Sequence, residues 1–109
     1  MKNKKFIVTT GFDIPGKNIK EVLGVVKGST VRSRNFARDI GAAFKNFIGG
    51  EIKTYTEMAN DARDEAYNRM INEAIGLGAD AIIAMGFSTS MIMNGASEMV
   101  AYGTAVKLK

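Results

Sequence analysis

The C-terminal part of the chain constrains the fold most strongly, because it predicts a β-hairpin with apolar side chains on both faces. The dipeptide Asn94-Gly95 separates two extended stretches, Ala79 to Met93 and Ala96 to Lys109. Asn-Gly is the strongest two-residue hairpin signal, since a type I′ turn needs positive φ at both central residues. We therefore predict two antiparallel strands joined at this turn.

The predicted register gives the hairpin one face of small residues and one face of bulky residues. It pairs Met93 with Ala96, Phe87 with Tyr102 and Ile83 with Val106. The small face consists of Ala84, Gly86, Ser88, Ala101, Gly103 and Ala105, and the bulky face of Ile83, Met85, Phe87, Met91, Val100, Tyr102 and Val106. We expect a helix to pack on the small face. Soluble monomers rarely expose an apolar patch as large as this bulky face, so we expect another copy of the chain to cover it. The alternative is that the upstream helix covers part of it.

Two helices are predicted in the middle of the chain. Apolar residues recur at three- and four-residue steps between Phe36 and Ile48, which is the helical signature, and Gly49-Gly50 follows them. Thr54 and Glu57 have capping-box spacing, so a second helix of about 22 residues is expected to begin there. Gly76 and Gly78 are candidates for its C-terminal cap. Its buried stripe is predicted to contain Met58, Ala59, Ala62, Ala66, Met70 and Ala74.

Two further strands are predicted before the helices. The first is the run KKFIVTT at residues 4–10, and Pro15-Gly16 then supplies a turn. The second covers Ile19 to Val26, with Gly24 and Gly28 marking a bulge or a close backbone contact. Together these elements predict a single α+β domain over residues 1–109, in which a long helix packs on a sheet in two layers.

The composition argues against several classes of site. The chain contains no Cys and no His, which removes thiolate nucleophiles, imidazole bases and the preferred ligands of zinc and copper. We therefore expect no cofactor and no tight binding of zinc or copper, and the seven methionines are interpreted as core residues. Asp61, Asp64 and Glu65 share one helical turn and are a weaker candidate for a hard cation. A solvated helix face explains these three carboxylates better.

The charge is divided unevenly along the chain. Residues 1–50 hold ten basic and three acidic residues, whereas residues 51–109 hold five basic and eight acidic residues. This split suits contact between the basic half of one subunit and the acidic half of another. Nucleic acid is a less favoured partner, because aromatic residues are not interleaved with the basic ones.

The sequence predicts a cytoplasmic location without a membrane partner. The apolar run near the N-terminus, Phe6 to Val8, is too short for a signal peptide. No stretch approaches the roughly 20 apolar residues that a spanning helix needs. Catalysis is not indicated either, because Ser or Thr without a His base would need Lys or a carboxylate at a spacing that the chain does not offer.

The chain resembles the YbjQ-like family of small bacterial and archaeal proteins. The resemblance rests on nine short stretches that together extend over nearly the whole chain. In family order they are Thr9-Thr10, Pro15 to Lys17, Leu23 to Gly28, Phe36 to Asp39, Ile48 to Gly50, Tyr55, Ala62-Arg63, Leu77 to Ile82 and Tyr102 to Val106. The resemblance implies a dodecin-like α+β subunit with an antiparallel sheet and a long helix. It also implies assembly of this subunit into a ring, a pentamer or a pair of pentamers. The family carries a heavy-metal-binding label and no established activity.

Seven residues are predicted to line a ligand pocket or a subunit junction: Thr9, Thr10, Arg38, Asp39, Tyr55, Arg63 and Tyr102. Polar groups of this kind seldom belong in a core unless they are paired. Tyr55 and Arg63 lie eight residues apart, about two helical turns, on roughly the same side. The function that we expect is non-catalytic binding of a small ligand or ion between subunits. The alternatives are a metal-binding protein that uses carboxylates and an enzyme with an active site between subunits.

Overall fold

The protein is an α+β structure with one four-stranded sheet and one helix packed on it. The computed structural model describes residues 5–33, 51–93 and 96–109, with the backbone alone for 32–33 and 51–58. In chain order the elements are β1 (Ile7–Val8), β2 (Ile19–Ser33), α1 (Glu51–Gly76), β3 (Ala81–Met93) and β4 (Ala96–Leu108). The strand order is β1-β3-β4-β2, and α1 packs chiefly against β2 and β4. The predicted helix at 36–48 and the Asn94-Gly95 turn lie outside the described residues.

The sheet is mixed rather than antiparallel. Strands β2 and β3 both pair antiparallel with β4, as expected for a hairpin and its neighbour. Strand β1 pairs parallel with β3, with Ile7 opposite Ala81 and Val8 opposite Ile82. The predicted antiparallel sheet is therefore wrong at this edge. The first strand is also only two residues long, because after Val8 the chain follows a bulge in β3 instead of a regular ladder.

The core lies between α1 and the sheet. The predicted helical stripe is confirmed by the burial of Ala62, Ala66, Met70 and Ala74, whereas Ala59 is exposed and the side chain of Met58 lies outside the described part. Ala66, Met70 and Ala74 pack against the buried sheet residues Val26, Ile82, Ala101 and Ala105. We call this side of the sheet the helix face and the opposite side the far face. The small side chains of α1 allow the helix to lie close to the strands.

Two glycines of β2 have the roles that the sequence suggested. At Gly28 an added Cβ would lie 2.3 Å from the carbonyl oxygen of Ala66 and 2.4 Å from the amide nitrogen of Met70, so only glycine allows this approach of the helix backbone. Gly24 has a φ of 137° and lies at a register shift in the pairing with β4. The shift reverses the alternation expected for Ile19 to Val26. Strand β2 also continues seven residues beyond the predicted end, to Ser33.

The predicted hairpin register holds at one pair and then fails. Met93 lies opposite Ala96 as expected, but an extra residue at Ile92 moves all later pairs by one position, so that Phe87 lies opposite Ala101. A second shift follows between Ile83 and Gly86. These two bulges decide which β3 side chains face the helix.

The second bulge changes the face of the residues that follow it in the chain, relative to Ile83. Ala84 has a φ of 55° there, a left-handed conformation that costs a non-glycine residue about 1–2 kcal/mol. Met85 and Phe87 consequently lie on the helix face, where Met85 packs on the core and the Phe87 ring stacks on Tyr67. The predicted small face is confirmed for Ala101, Gly103 and Ala105 of β4, and it is wrong for Gly86 and Ser88 of β3, which lie opposite Tyr102 and Val100.

Part of the far face is covered by the N-terminal segment of the same chain. Ile14 is buried against Ala81, Ile83 and Val106. Ile83 and Val106 were predicted to lie on this face, which is confirmed, but the chain itself covers them. The Pro15-Gly16 turn positions Ile14: the amide of Lys17 donates to the Ile14 carbonyl at 3.0 Å, and Gly16 has a φ of 80°, as a type II turn requires.

The helix begins earlier than expected and ends as expected. It starts at Glu51, so Thr54 lies inside the helix and is not its N-cap. At the other end Gly78 has a φ of 83°, and the amides of Gly78 and Ala79 donate to the carbonyls of Ile75 and Ala74. These two bonds form a Schellman motif with Gly78 at the cap position. No helix in the described ranges is long and apolar enough to cross a bilayer.

Candidate functional site

The far face exposes an apolar patch beyond the region that Ile14 covers. Val22, Val25 and Val31 of β2 are 62%, 76% and 54% exposed, and Tyr102 of β4 is 43% exposed. These four residues are called the far-face patch. Phe12, in the loop that leads to Ile14, is 82% exposed. Apolar side chains grouped in this way usually mark a contact or ligand surface.

Tyr102 is the aromatic centre of this patch. Its neighbours Ala101 and Gly103 are buried on the helix face, so its own side chain lies on the far face. The ring extends across to β3, and the hydroxyl oxygen lies 2.7 Å from the place where a Cβ of Gly86 would stand. A side chain at position 86 would displace the hydroxyl. The missing side chain thus creates the space in which the Tyr102 hydroxyl lies.

Thr9 and Thr10 follow β1 and lie beside the bulge of β3. The Thr9 carbonyl accepts a hydrogen bond from the amide of Met85 at 3.1 Å, and the Gly11 carbonyl accepts one from Ala84 at 2.8 Å. The Thr9 hydroxyl oxygen accepts a hydrogen bond from the amide of Gly11 at 3.1 Å, which leaves its own proton available to a ligand.

The bulge brings two parts of the predicted site to one end of the far face. Met85, whose amide donates a hydrogen bond to the Thr9 carbonyl, directly precedes Gly86. The Tyr102 hydroxyl lies beside Gly86. Thr10 is exposed in the same loop. The fold therefore places Thr9, Thr10 and Tyr102 close to one another, although they are far apart in sequence.

A lysine adds a positive charge on the same face. Lys27 lies opposite Tyr102 in the β2–β4 ladder, and it alternates with Val26 and Gly28, which are buried on the helix face. Its exposed side chain therefore lies on the far face beside the Tyr102 ring. A hydroxyl, an aromatic ring and an amine in adjacent positions suit a small ligand that has both an apolar part and hydrogen-bond acceptors.

Within the described part of the chain, Arg63 is not brought to this cluster. Arg63 lies on α1, on the opposite side of the sheet, and donates a hydrogen bond to Asn60 one turn earlier. Tyr55 lies in the same helix, but its side chain is not described. Arg38 and Asp39 lie outside the described residues. Arg63 and Tyr102 can therefore share a pocket only if they come from different subunits.

Side chains of α1 occupy the outer edge of β2. The Glu73 carboxylate accepts a hydrogen bond from the amide of Lys27 at 2.7 Å, and Arg69 donates to the carbonyl oxygen of Ser29. Arg69 also forms an ion pair with Glu65 at 2.7 Å. An open sheet edge is a template for unwanted strand pairing, and these contacts block a stretch of this edge.

The carboxylate alternative gains no support from the geometry. Among the described residues there is no group of three or more Asp, Glu, His or Cys side chains placed to hold a metal ion together. Asp61 and Asp64 are exposed on α1, and Glu65 is engaged by Arg69. Their arrangement is that of a solvated helix face.

Three residues of this region were not predicted as site residues, namely Phe12, Lys27 and Gly86. Phe12 carried a signal, since a phenylalanine between Gly11 and Asp13 interrupts a turn segment that is otherwise polar. No sequence pattern indicated a site role for Gly86 or Lys27, because their positions relative to Tyr102 depend on the bulges of β3 and β2.

A comparison with protein families matches residues 6–109 to the model of the YbjQ family, which is described as "Putative heavy-metal-binding". Similar proteins are known from distant organisms, each named "UPF0145 protein". One from Thermotoga maritima is 56% identical over 103 residues, covering 94% of this chain and 97% of its own. One from Archaeoglobus fulgidus is 54% identical over 106 residues, covering 97% and 98%.

A solved structure supports the fold. The crystal structure of a protein of unknown function from Pediococcus pentosaceus aligns with a TM-score of 0.62, and the alignment covers 95% of this chain and 98% of that one. The two sequences are 21% identical, so this likeness bears on the fold alone.

Proposed function

This chain belongs to the YbjQ family, and we propose that it is a non-catalytic, homo-oligomeric protein that binds a small ligand between subunits. The observation that carries the proposal is the far-face patch with the Tyr102 hydroxyl at its centre. Apolar residues supply the contact between copies, and the neighbouring polar groups supply ligand recognition.

The proposed assembly is a closed ring with a dodecin-like arrangement, a pentamer or a pair of pentamers. A second copy is the occupant that best suits the far-face patch, because Val22 and Val25 are apolar and highly exposed beside the region that Ile14 covers. The opposite charges of the two halves of the chain favour contact between unlike surfaces of neighbouring subunits. Subunits joined in this way form a closed ring when the rotation from one subunit to the next divides a full turn. The proposed location is the cytoplasm, without a membrane partner.

The proposed ligand is a small molecule with an apolar body and a hydrogen-bond acceptor. Tyr102 and Phe12 provide aromatic contact, while Thr9, Thr10 and Lys27 provide donors. Arg63, Tyr55, Arg38 and Asp39 complete the pocket from the neighbouring subunit in this proposal. An arginine there would hold a carboxylate in two parallel hydrogen bonds. The carboxylate-metal and enzyme alternatives have no comparable observation in their favour.

Native mass spectrometry of freshly purified protein tests the proposal, because it reports subunit number and retained ligand together. We expect an oligomer that carries additional small-molecule mass. Tyr102→Phe should remain assembled but retain clearly less of this mass, since it loses only the hydroxyl.

Thr30→Val is the matched control, because it removes a hydroxyl that is buried on the helix face, away from the proposed pocket. It should retain ligand like the parent protein. An oligomer with no added mass under any gentle condition would contradict the ligand proposal. Equal loss in both variants would move the site away from Tyr102.

A further inference from the structure

The outer edge of β3 is open towards the end of the hairpin. Strand β1 pairs with β3 only at Ala81 and Ile82, and the loop that follows β1 bonds to β3 no further along than Met85. From Gly86 to Met93, no described residue pairs with this edge, and every residue from Phe87 onward is exposed. The backbone groups along this edge therefore face solvent in the isolated chain.

The side chains of this stretch include methionines that core packing does not explain. Met91 is 75% and Met93 is 64% exposed, whereas Met70 is fully buried in the core. The interpretation of the methionines as core residues is therefore confirmed for Met70 and wrong for these two.

Alternate residues of β3 direct their backbone groups to the open edge. Met85 donates its amide to the Thr9 carbonyl on the β1 side, so this amide points away from β4. In an antiparallel ladder every second residue bonds to the same neighbour, and the pairing with β4 continues without a register shift as far as Met91. The N–H and C=O groups of Phe87, Thr89 and Met91 therefore also point away from β4.

This edge lacks the protection that free edges of sheets usually have. Natural proteins protect them with charged side chains, proline, bulges or a covering element. The outer edge of β2 is covered in this way by Glu73 and Arg69 of α1. Residues 86–93 of β3 contain no charged residue and no proline, and the bulge at Ile92 comes only after Met91. An edge of this kind is a template for pairing with a further strand.

The sequence of the edge matches a second copy of itself. Read in either direction, the stretch Phe87-Ser88-Thr89-Ser90-Met91 runs bulky, Ser, Thr, Ser, bulky. Antiparallel pairing centred on Thr89 places Phe87 of one copy opposite Met91 of the other, and Thr89 opposite its own counterpart. Thr–Thr and sulfur–aromatic contacts are favourable between paired strands, and no like charges meet.

We propose that two copies of the chain pair through their β3 edges in antiparallel orientation, with a two-fold axis at Thr89. Such a contact is isologous, because both copies use the same surface. Opposite residues whose backbone groups point outward exchange both N–H···O bonds, which applies to Thr89 with itself and to Phe87 with Met91. The two-fold axis is perpendicular to the joined sheet, so the helices of both copies lie on the same side of it.

The edge contact is separate from the far-face patch, which lies on β2 and β4. The contact within the proposed ring joins unlike surfaces, whereas the edge contact joins like surfaces, so it pairs two rings. This consequence rests on the proposed function, but the strand pairing itself does not. Repetition around two rings strengthens a contact of small area, since linked contacts reinforce one another.

Cysteine crosslinking tests the edge pairing, because the chain contains no Cys and a single introduced cysteine reports only contacts between copies. Opposite residues of a hydrogen-bonded antiparallel pair have Cα atoms about 5.5 Å apart, which a disulfide can span. Thr89→Cys should therefore form a disulfide-linked dimer under mild oxidation, seen by non-reducing electrophoresis. Ser97→Cys is the matched control, because Ser97 is exposed but lies on the inner strand β4, opposite Met91. It should remain unlinked.

A charge at the two-fold axis provides a second test. Thr89→Lys places two like charges opposite each other and should halve the mass of the assembly in native mass spectrometry. Thr89→Val keeps the branched side chain and should keep the mass of the parent protein. The mass should halve whether or not the subunits also form rings, so the outcome is independent of the far-face contact. Crosslinking at Thr89→Cys no faster than at Ser97→Cys, or a Thr89→Lys protein with the parent's mass, would overturn the edge pairing.

Discussion

At the scale of single residues, Gly28 shows most clearly how the sequence determines the packing. It is the one place in β2 where helix backbone atoms of Ala66 and Met70 occupy the space of a side chain. The sequence predicted a close contact at this glycine and did not identify the partner. That partner follows from the stripe of alanines on α1, which lets the two backbones meet.

Gly28→Ala is therefore expected to destabilise the fold by about 3 kcal/mol, at the upper end of the usual cost of overpacking. The obstructing atoms are backbone and cannot rotate away. Gly76→Ala is the control, since nothing lies within 4 Å of its added Cβ and alanine favours a helix by about 0.5–1 kcal/mol. Urea unfolding followed by circular dichroism measures both. A Gly28→Ala protein as stable as the parent would show that the helix approaches β2 less closely.

At the scale of elements, the hairpin and the helix were predictable and the bulges of β3 were not. The Asn94-Gly95 dipeptide, the alanine stripe and the cap at Gly78 are local signals with direct physical meaning. The extra residues at Ile92 and at Ala84-Met85 have no such signal, because alanine and isoleucine do not favour bulge conformations. A one-residue shift moves side chains to the other face, which is why Phe87 was placed wrongly.

The bulge at Ala84 leads to a prediction about stability. Its φ of 55° costs alanine about 1–2 kcal/mol, and a glycine at this position would remove that cost. Because glycine is more flexible in the unfolded chain, the substitution also loses about 0.5–1 kcal/mol of stability. Ala84→Gly should therefore stabilise the protein modestly, by about 0.5–1 kcal/mol. Ser88→Gly, in the regular part of β3, should destabilise it by a similar amount. Thermal unfolding of both variants measures the difference, and a lower melting temperature for Ala84→Gly would contradict a strained bulge.

At the scale of the whole molecule, the sequence predicted an apolar far face but not its composition. Ile83 and Val106 were correctly placed there, yet Ile14 covers them. The exposed remainder comes largely from β2, whose continuation to Ser33 was not predicted. Among the candidate site residues whose side chains the structure describes, Thr9, Thr10 and Tyr102 come together and Arg63 does not. A site completed by a neighbouring copy cannot be read from one sequence, because its geometry depends on the symmetry of the assembly.

Val25→Glu tests whether the far face is the contact between copies. Val25 is 76% exposed, so the charge costs the isolated subunit little, whereas burying it against a neighbour without a partner costs several kcal/mol. We expect this variant to dissociate and to keep its circular dichroism spectrum. Val25→Thr keeps the branched shape and should remain assembled. Size-exclusion chromatography with light scattering distinguishes them, and a Val25→Glu protein that elutes like the parent would place the interface elsewhere.

Sedimentation equilibrium of the wild-type protein tests the central claim most directly. At micromolar concentration and moderate salt, the proposal predicts a single closed species whose mass is a small multiple of the 11.8 kDa chain, with five or ten copies expected from the family resemblance. A stable species of 11.8 kDa under these conditions would contradict it, because the far-face patch would then be exposed in the functional protein.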